Sequence, residues 1–194
     1  MELSTPRLRL RPLRFGDAVN IGCLFADPTA RRYLAIGELG PLEAERFAEQ
    51  FIGTSRHELR RHGSSALAVT AVGENQAIGY CGLRPLPDRA DARELVYALL
   101  PDRWGRGLAT EASVACLEWG FRALPMSLAL GFARSENAAS CGVMRKLGME
   151  YRGLSSRYYD RPLAEFAAAR AAWLAARAQP AEARFATGST ALSG

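Results

Sequence analysis

The residues with the clearest chemical potential lie at Gly105-Arg106-Gly107-Leu108-Ala109-Thr110, where an apolar run ending at Leu100 gives way to a helical pattern opening at Gly107. Glycines let backbone N–H groups come close to phosphate oxygens, and the first-turn N–H groups of a helix have no intrahelical partner. A diphosphate is therefore the expected ligand of such a turn. A dinucleotide fingerprint would need glycine or alanine where Thr110 stands and would open an early βαβ unit, whereas this turn lies past mid-chain. A P-loop would need Gly-Lys-Ser/Thr, which is absent. On these residues alone, a plain tight turn with a glycine-initiated helix stays open.

The elements that must position this turn can be read from pattern. Arg7-Leu8-Arg9-Leu10-Arg11 alternates with period two and predicts a strand stopped by Pro12, followed by a helix that Asp17 helps to start. Leu42, Phe47, Phe51, Ile52 and Leu59 recur at helical spacing between Pro41 and His62, with Gly63 as terminator. Runs 65–72 and 77–83 flank Gly73-Glu74-Asn75-Gln76 as an antiparallel hairpin, and a third strand is expected from Ala92 to Leu100 after the loop 85–88. A helix over 107–123, a strand over 127–133, a helix over 137–147 and a strand over 149–153 follow. Residues 163–178 read as a strand, from their place after two tyrosines, and then a short helix, with one helix over Ala164 to Ala178 as the alternative that the alanines leave open. The expected organisation is one domain over 1–178 and a flexible C-terminal tail over 179–194.

Composition narrows the function classes. A chain of 194 residues with 48% hydrophobic content can bury a core without disulfides or metal. Cys23, Cys81, Cys116 and Cys141 are too widely spaced for zinc or redox motifs and read as reduced thiols, and His57 and His62 lack metal-pair spacing. No apolar leader or long apolar span is present, so a cytoplasmic protein without membrane insertion is expected. The net charge of +5 is spread over scattered arginines, with Lys146 the only lysine, which does not suggest a nucleic-acid groove.

Taken in order, Thr5-Pro6-Arg7-Leu8-Arg9-Leu10-Arg11, the strand Glu94 to Leu100, the turn Trp104 to Ala109, Asn137-Ala138-Ala139-Ser140 and Lys146-Leu147-Gly148 resemble the GNAT superfamily of acyl-CoA-dependent N-acyltransferases. Within it they are most similar to the branch that includes ribosomal-protein N-terminal alanine acetyltransferases. The resemblance implies an α+β, three-layer fold: a mixed, largely antiparallel twisted sheet of six to seven strands, flanked by helices and splayed at the acyl-CoA site. It implies acetyl-CoA as cosubstrate, with no metal, held by backbone groups of Gly105, Arg106, Gly107, Leu108, Ala109 and Thr110. The family's Gln/Arg-x-x-Gly-x-Gly/Ala signature falls on Trp104, Gly107 and Ala109, so Trp104 departs from it. It also implies a bulge near Val96 to Leu100 whose free backbone groups, at Leu99 and Leu100, pair with the pantetheine arm.

The same resemblance implies direct attack of a neutral amine on the thioester. An ammonium of pKa about 10.4 needs more help to lose its proton than an α-amine near 8. Glu94 matches a position of the general base; a solvated edge glutamate paired with Arg93 or Arg103 is the competing reading. Glu111, in the first helical turn, complements the helix dipole. Where relatives carry a tyrosine for the leaving thiolate this chain has Met144, while Ser140 falls where the branch has a serine, with Cys141, Tyr158 or Tyr159 as substitutes. Asn137 is expected to contact the coenzyme, to cap the following helix, or both. Trp104, Trp119 and Trp173 read as packing residues.

The acceptor is expected to meet residues 15–51 and the loops 84–91 and 154–160. A peptide or protein N-terminal amine is implied by resemblance; a small amine, an amino acid, an aminoglycoside, or a non-catalytic acyl-CoA sensor are the alternatives. A homodimer is compatible with the last strand.

Overall fold

The computed structural model describes residues 1–34 and 36–178, and the expected tail lies outside the described residues. The chain opens with β1 (Leu3–Ser4) and β2 (Leu8–Pro12). Leu8 and Leu10 point into the core, as the alternation requires. Arg11 does not stay in solvent. Its NH1 and NH2 donate to Asp17 Oδ2 and Oδ1 at 2.8 and 2.7 Å, and the pair is buried. Asp17 stands at the N-cap position of α1, as expected, but its side chain closes the turn before the helix and does not cap α1 itself. Its carboxylate also accepts from the Arg14 N–H at 2.8 Å, and a single 3-10 turn (Phe15–Asp17) leads into α1 (Ala18–Ala26). Pairing the buried carboxylate in this way offsets a desolvation penalty on the order of several kcal/mol.

Asp27 then caps α2 (Pro28–Arg31) by accepting from Thr29 and Ala30 N–H, a helix too short to leave a periodic signal. The long helix α3 (Pro41–His62) follows and ends at Gly63, whose N–H donates to Leu59 O. Strands β3 (Ala66–Ala71), β4 (Ala77–Leu86) and β5 (Arg89–Leu99) form a meander. β4 and β5 run further into their connection than the two prolines suggest. Pro85 is accommodated where the β4–β5 register shifts, between Pro85 and Leu86. After β5 come α4 (Leu108–Ala123), β6 (Leu128–Ala133), α5 (Ala138–Lys146), β7 (Glu150–Ser155), β8 (Leu163–Ala169) and α6 (Arg170–Ala178).

Among the described residues the sheet has eight strands in the order β1-β2-β3-β4-β5-β6-β8-β7, one more than the upper expectation because of the two-residue β1. Every pairing is antiparallel except β5–β6. Helices cover both faces. α4, α5 and α6 pack on one through Leu117, Phe121, Met144 and Trp173, and α1 and α3 on the other through Ile21, Leu24 and Ile52. Strand β3 serves both cores, with Leu67 and Val69 on the first side and Ala66 and Ala68 on the second.

The one parallel junction positions the site. β5 pairs with β6 only from Ala92↔Leu128 to Glu94↔Leu130, after which β5 continues to Leu99 beside β4 and β6 continues to Ala133 beside β8. The sheet is therefore wedge-split beyond Glu94. The bulge expected near Val96 to Leu100 is absent: the β4–β5 register is unbroken from Gly79↔Leu99 to Pro85↔Arg93. The opening lies instead at the β5–β6 edge, where pairing stops after Glu94 while each strand keeps its partner on the other side.

Candidate functional site

At the wide end of the wedge, a 3-10 turn (Pro101–Arg103) carries the chain from β5 to α4 through Gly105 and Gly107, both at φ 73°. The first bond of α4 runs from Glu111 N–H to Gly107 O at 3.0 Å. The N–H groups of Gly105 through Thr110 donate to no acceptor among the described residues. A run of unpaired donors at the positive end of a sixteen-residue helix can hold a polyanion.

Side chains from elsewhere brace this turn. Trp104 Nε1 donates to Leu99 O at 2.7 Å, tying the turn to the end of β5. Trp104 thus works by its indole N–H as well as by packing. The Leu100 N–H donates to Ile78 O at 2.9 Å. These bonds correct in part the expectation that Leu99 and Leu100 offer free groups: Leu100 has both its N–H and C=O engaged, and Leu99 its C=O, so that of the two only the Leu99 N–H is left. Because Leu100 faces β4, strand alternation turns the N–H and C=O of Tyr97 and the N–H of Leu99 toward the wedge, where no strand pairs with them.

Arg7, which the pattern reads only as the wet face of a strand, reaches the same turn. Its Nε donates to Glu111 Oε2 at 2.6 Å and its NH1 to Arg106 O at 3.0 Å. No local signal could have found it, since its partners are about a hundred residues away in sequence. Glu111 does more than complement the dipole, for it also accepts from Thr5 Oγ1 at 2.6 Å and from the Arg7 N–H at 3.0 Å. Burial pushes the Glu111 carboxyl up, but the bonds from Thr5 and Arg7 outweigh it and hold the group below its ordinary value. A depressed folded value stabilises above the unfolded value and is lost as pH falls through the folded one. Glu111→Gln is thus expected to lose about 1.5 kcal/mol at pH 7, a drop of about 3–6 °C in Tm. The gap from wild type should close as pH falls below 4.5, and a pH-independent gap in thermal melts would refute the assignment.

Inside the wedge, on the α4/α5 side, Tyr97 meets α5. Its hydroxyl donates to Ser140 O at 3.0 Å and lies 2.9 Å from Ser140 Oγ, so Ser140 Oγ–H can donate in turn to the phenol oxygen. Burial pushes the Tyr97 phenol up, keeping it protonated. Asn137 holds α5 in place as its N-cap, with Oδ1 accepting from the Ser140 N–H at 3.0 Å. Tyr97 is a site residue that sequence reasoning missed. Met144 is buried and packs at Gly131, where it lines the same cavity; Cys141 is buried with Sγ 3.8 Å from Arg134 O.

On the opposite face of β5, Glu94 is buried. The competing reading, an edge glutamate paired with Arg93 or Arg103, does not hold. Arg93 donates to Ser64 Oγ, Ala90 O and Ala92 O, while Arg103 pairs with Asp102. Glu94 instead accepts a short hydrogen bond from Tyr159, in the β7–β8 connection, and stands opposite Arg84 on β4. Burial pushes the Glu94 carboxyl up, against the opposing pull of the Tyr159 bond and the Arg84 charge. Burial, and then the neighbouring carboxylate, push the Tyr159 phenol up. Tyr159 is thereby committed to Glu94 and not to a leaving group near Ser140, and the Tyr158 hydroxyl lies beside Asp88.

A cavity of about 240 Å³ runs through the wedge and is lined by Glu94, Tyr97, Ser140, Met144 and Tyr159. A second, of about 410 Å³, opens between the β4–β5 and β7–β8 connections and shares Arg84, Glu94 and Tyr159 with the first. The arrangement joins three things: an anion cradle, an unpaired strand edge, and a buried carboxylate of raised proton affinity. Trp119 and Trp173 are away from it, packed on the core, with Trp173 Nε1 donating to Leu147 O at 2.9 Å. Among the described residues no His/Cys/Asp/Glu cluster could hold a metal ion, and no helix is long and apolar enough to cross a membrane.

The pattern of the acetyltransferase (GNAT) domain family matches residues 7–150. The uncharacterized protein YkkB of Bacillus subtilis is 27% identical over 167 residues, 85% of this chain and 94% of that protein. Among solved structures, an acetyltransferase from Agrobacterium tumefaciens superposes with a TM-score of 0.74 at 24% identity, covering 87% of this chain and 94% of that one. Mycobacterium smegmatis RimJ in complex with CoA-disulfide gives 0.73 at 21% identity, covering 92% and 93%.

Proposed function

The chain belongs to the GNAT acetyltransferase family, and from that premise we propose that it moves an acetyl group from acetyl-CoA to the N-terminal amine of a peptide or protein, by direct attack in a ternary complex. The observation that carries this reading is the parting of β5 from β6 immediately after Glu94, which opens a cavity from the buried carboxylate to Tyr97 and Ser140 and leaves the edge of β5 unpaired between that cavity and the turn at Gly105 to Thr110. From Leu99 back to Glu94 is about 17 Å along the strand. The pantetheine arm, about a dozen backbone atoms or four residues' worth of chain, spans about 14 Å. With its diphosphate at Gly105 to Thr110, the thioester of the cosubstrate falls between Tyr97 and Glu94.

In that pose the outward N–H and C=O of Tyr97 pair with the arm as an added strand would. Glu94 removes a proton from the acceptor ammonium, directly or through water, and the free amine attacks the thioester carbonyl. Ser140 Oγ–H, backed by Tyr97, hydrogen-bonds the departing sulfur. Asn137 places Ser140 by capping α5. Two cavities meeting at Glu94 favour an α-amine, since the carbon next to the nitrogen can send one substituent into each.

The test pairs binding with turnover. Acetyl-CoA at a hundred times its Kd is expected to stabilise the protein by about 2.7 kcal/mol, raising Tm by about 5–10 °C. Thiol should be released from acetyl-CoA only when an acceptor peptide with a free N-terminus is present. No thermal shift would remove the cradle; a shift without turnover on any peptide would remove the enzymatic reading.

A further inference from the structure

The cavity beside Glu94 has an apolar wall that acetyl transfer to a bare amine does not use. Phe25, Phe47, Phe51 and Tyr80 form one aromatic cluster, with ring centroids 5.2 Å apart for Phe25–Phe47, 5.6 Å for Phe25–Phe51 and 4.8 Å for Phe51–Tyr80. Phe25 and Tyr80 are buried, but Phe47 and Phe51 are only half-buried and line the cavity. Apolar surface kept open in a concave wall is what a side chain of a ligand can cover.

Charge around that wall is one-sided. Among the described residues Glu94 is the only carboxylate lining the first cavity, whereas Arg84, Arg134 and Arg161 also line it. Arg84 is 3.9 Å from Glu58 and Arg134 3.6 Å from Glu136, while Arg161 has no ion pair or hydrogen bond among the described residues. One acceptor ammonium can be matched by Glu94. A second positive charge on the same acceptor would find no further carboxylate in the lining, since Glu58 and Glu136 lie outside it and are taken up by Arg84 and Arg134. An acidic side chain would have to leave water for an aromatic wall. The volume, about 240 Å³, equals about eight waters at about 30 Å³ each, enough for an amine carbon and one side chain.

We infer that the acceptor peptide begins with an apolar residue, branched aliphatic or aromatic, whose side chain lies against Phe47 and Phe51 while the chain that follows leaves through the second cavity past Arg84. The inference rests on the proposed N-terminal transfer and adds the identity of the first side chain. Phe47 and Phe51 are then the specificity residues, on α3, and Arg84, Arg134 and Arg161 exclude polycationic acceptors.

Synthetic peptides identical except for a first residue of Leu, Phe, Ala, Asp or Lys test it, with thiol release from acetyl-CoA giving kcat/KM for each. Leu and Phe should exceed Ala by about tenfold or more, and exceed Asp and Lys by a larger factor. Phe47→Ala should lower the Leu-to-Ala ratio of kcat/KM about tenfold. That ratio is not moved by a general loss of folded protein, and the acetyl-CoA thermal shift checks that the variant is intact. A flat series, a preference for Lys, Asp or Ala, or a ratio that Phe47→Ala leaves unchanged overturns the inference while N-terminal transfer stands. No thiol release with any of the peptides overturns both.

Discussion

Glu94→Gln is expected to lower kcat by about 10²–10⁴-fold while leaving the melting temperature unchanged or raised. Both halves follow from the same burial. Glu94 is 7% exposed, and burial pushes its carboxyl above the ordinary value of 4.5. Such a group binds a proton more tightly in the folded chain than in the unfolded one. Its contribution to stability is therefore fully present below the unfolded value and is lost as pH rises through the folded value. At pH 7 the carboxylate is a liability to the fold, which the neutral amide removes while still accepting the Tyr159 hydroxyl. The base, by contrast, works only when ionised. Wild-type kcat/KM should fall as pH is lowered through a value above 4.5, and that acid limb should be missing from the residual activity of Glu94→Gln. A variant that keeps wild-type kcat, or one that loses activity together with its melting transition, would remove Glu94 from the proton path.

Much of this site is legible in the amino-acid sequence. The turn announces itself because its shape resides in backbone conformation, and Gly105 and Gly107 are the residues that supply φ 73° without strain. Glu94 and Ser140 are reachable only through family resemblance, since nothing in the local pattern distinguishes a buried strand-end glutamate from a solvated one. The order of elements is legible too: seven of the eight strands, α1 and the helices α3 to α6 stand in the expected order, although β8 and α6 follow from their place after two tyrosines and not from period. α2 does not, because four residues held by Asp27 and Pro28 carry capping chemistry but no period.

What escapes the sequence is what depends on distant elements meeting. Arg7 and Thr5 reach Glu111 across the sheet order, and Tyr97 finds Ser140 only because α5 packs on the face of β5 that odd-numbered residues occupy. The β7–β8 connection brings Tyr159 to Glu94 from 65 residues away. The expected bulge fails for a related reason. Pattern and resemblance place the parting of the strands in β5 itself, but it lies at the β5–β6 edge, where three pairs are followed by none while β5 keeps β4 and β6 keeps β8. A local bulge and an edge where pairing stops produce the same opening, and only the second requires knowing the strand order. Trp104 shows the same limit, because its indole serves the Leu99 carbonyl where the family signature has a different side chain.

Gly107→Val is expected to abolish the rise in Tm produced by acetyl-CoA, and it separates a backbone cradle from a side-chain one. A Cβ at Gly107 meets open space, with Arg7 NH2 the nearest atom at 3.7 Å, so the substitution acts through conformation and not through a clash. Holding an L-residue in the left-handed region costs about 1–2 kcal/mol, and a β-branched residue tolerates it least. The turn then has two outcomes. If the substituted residue keeps the glycine's φ of 73°, the strain destabilises the free protein. If it relaxes to negative φ, the N–H groups of Leu108 and Ala109 no longer converge with those of Gly105 and Arg106. Loss of two charge-assisted hydrogen bonds, at about 1.5–3 kcal/mol each, weakens binding by about a hundredfold or more. The comparison is Arg106→Ala, which removes an exposed guanidinium and leaves the backbone alone; it should weaken binding by about fivefold at most. Calorimetric titration of acetyl-CoA into both variants decides between the mechanisms. If Arg106→Ala matches the loss in Gly107→Val, the anion is held by charge on side chains; if only Gly107→Val fails, it is held by the six N–H groups that the two glycines aim.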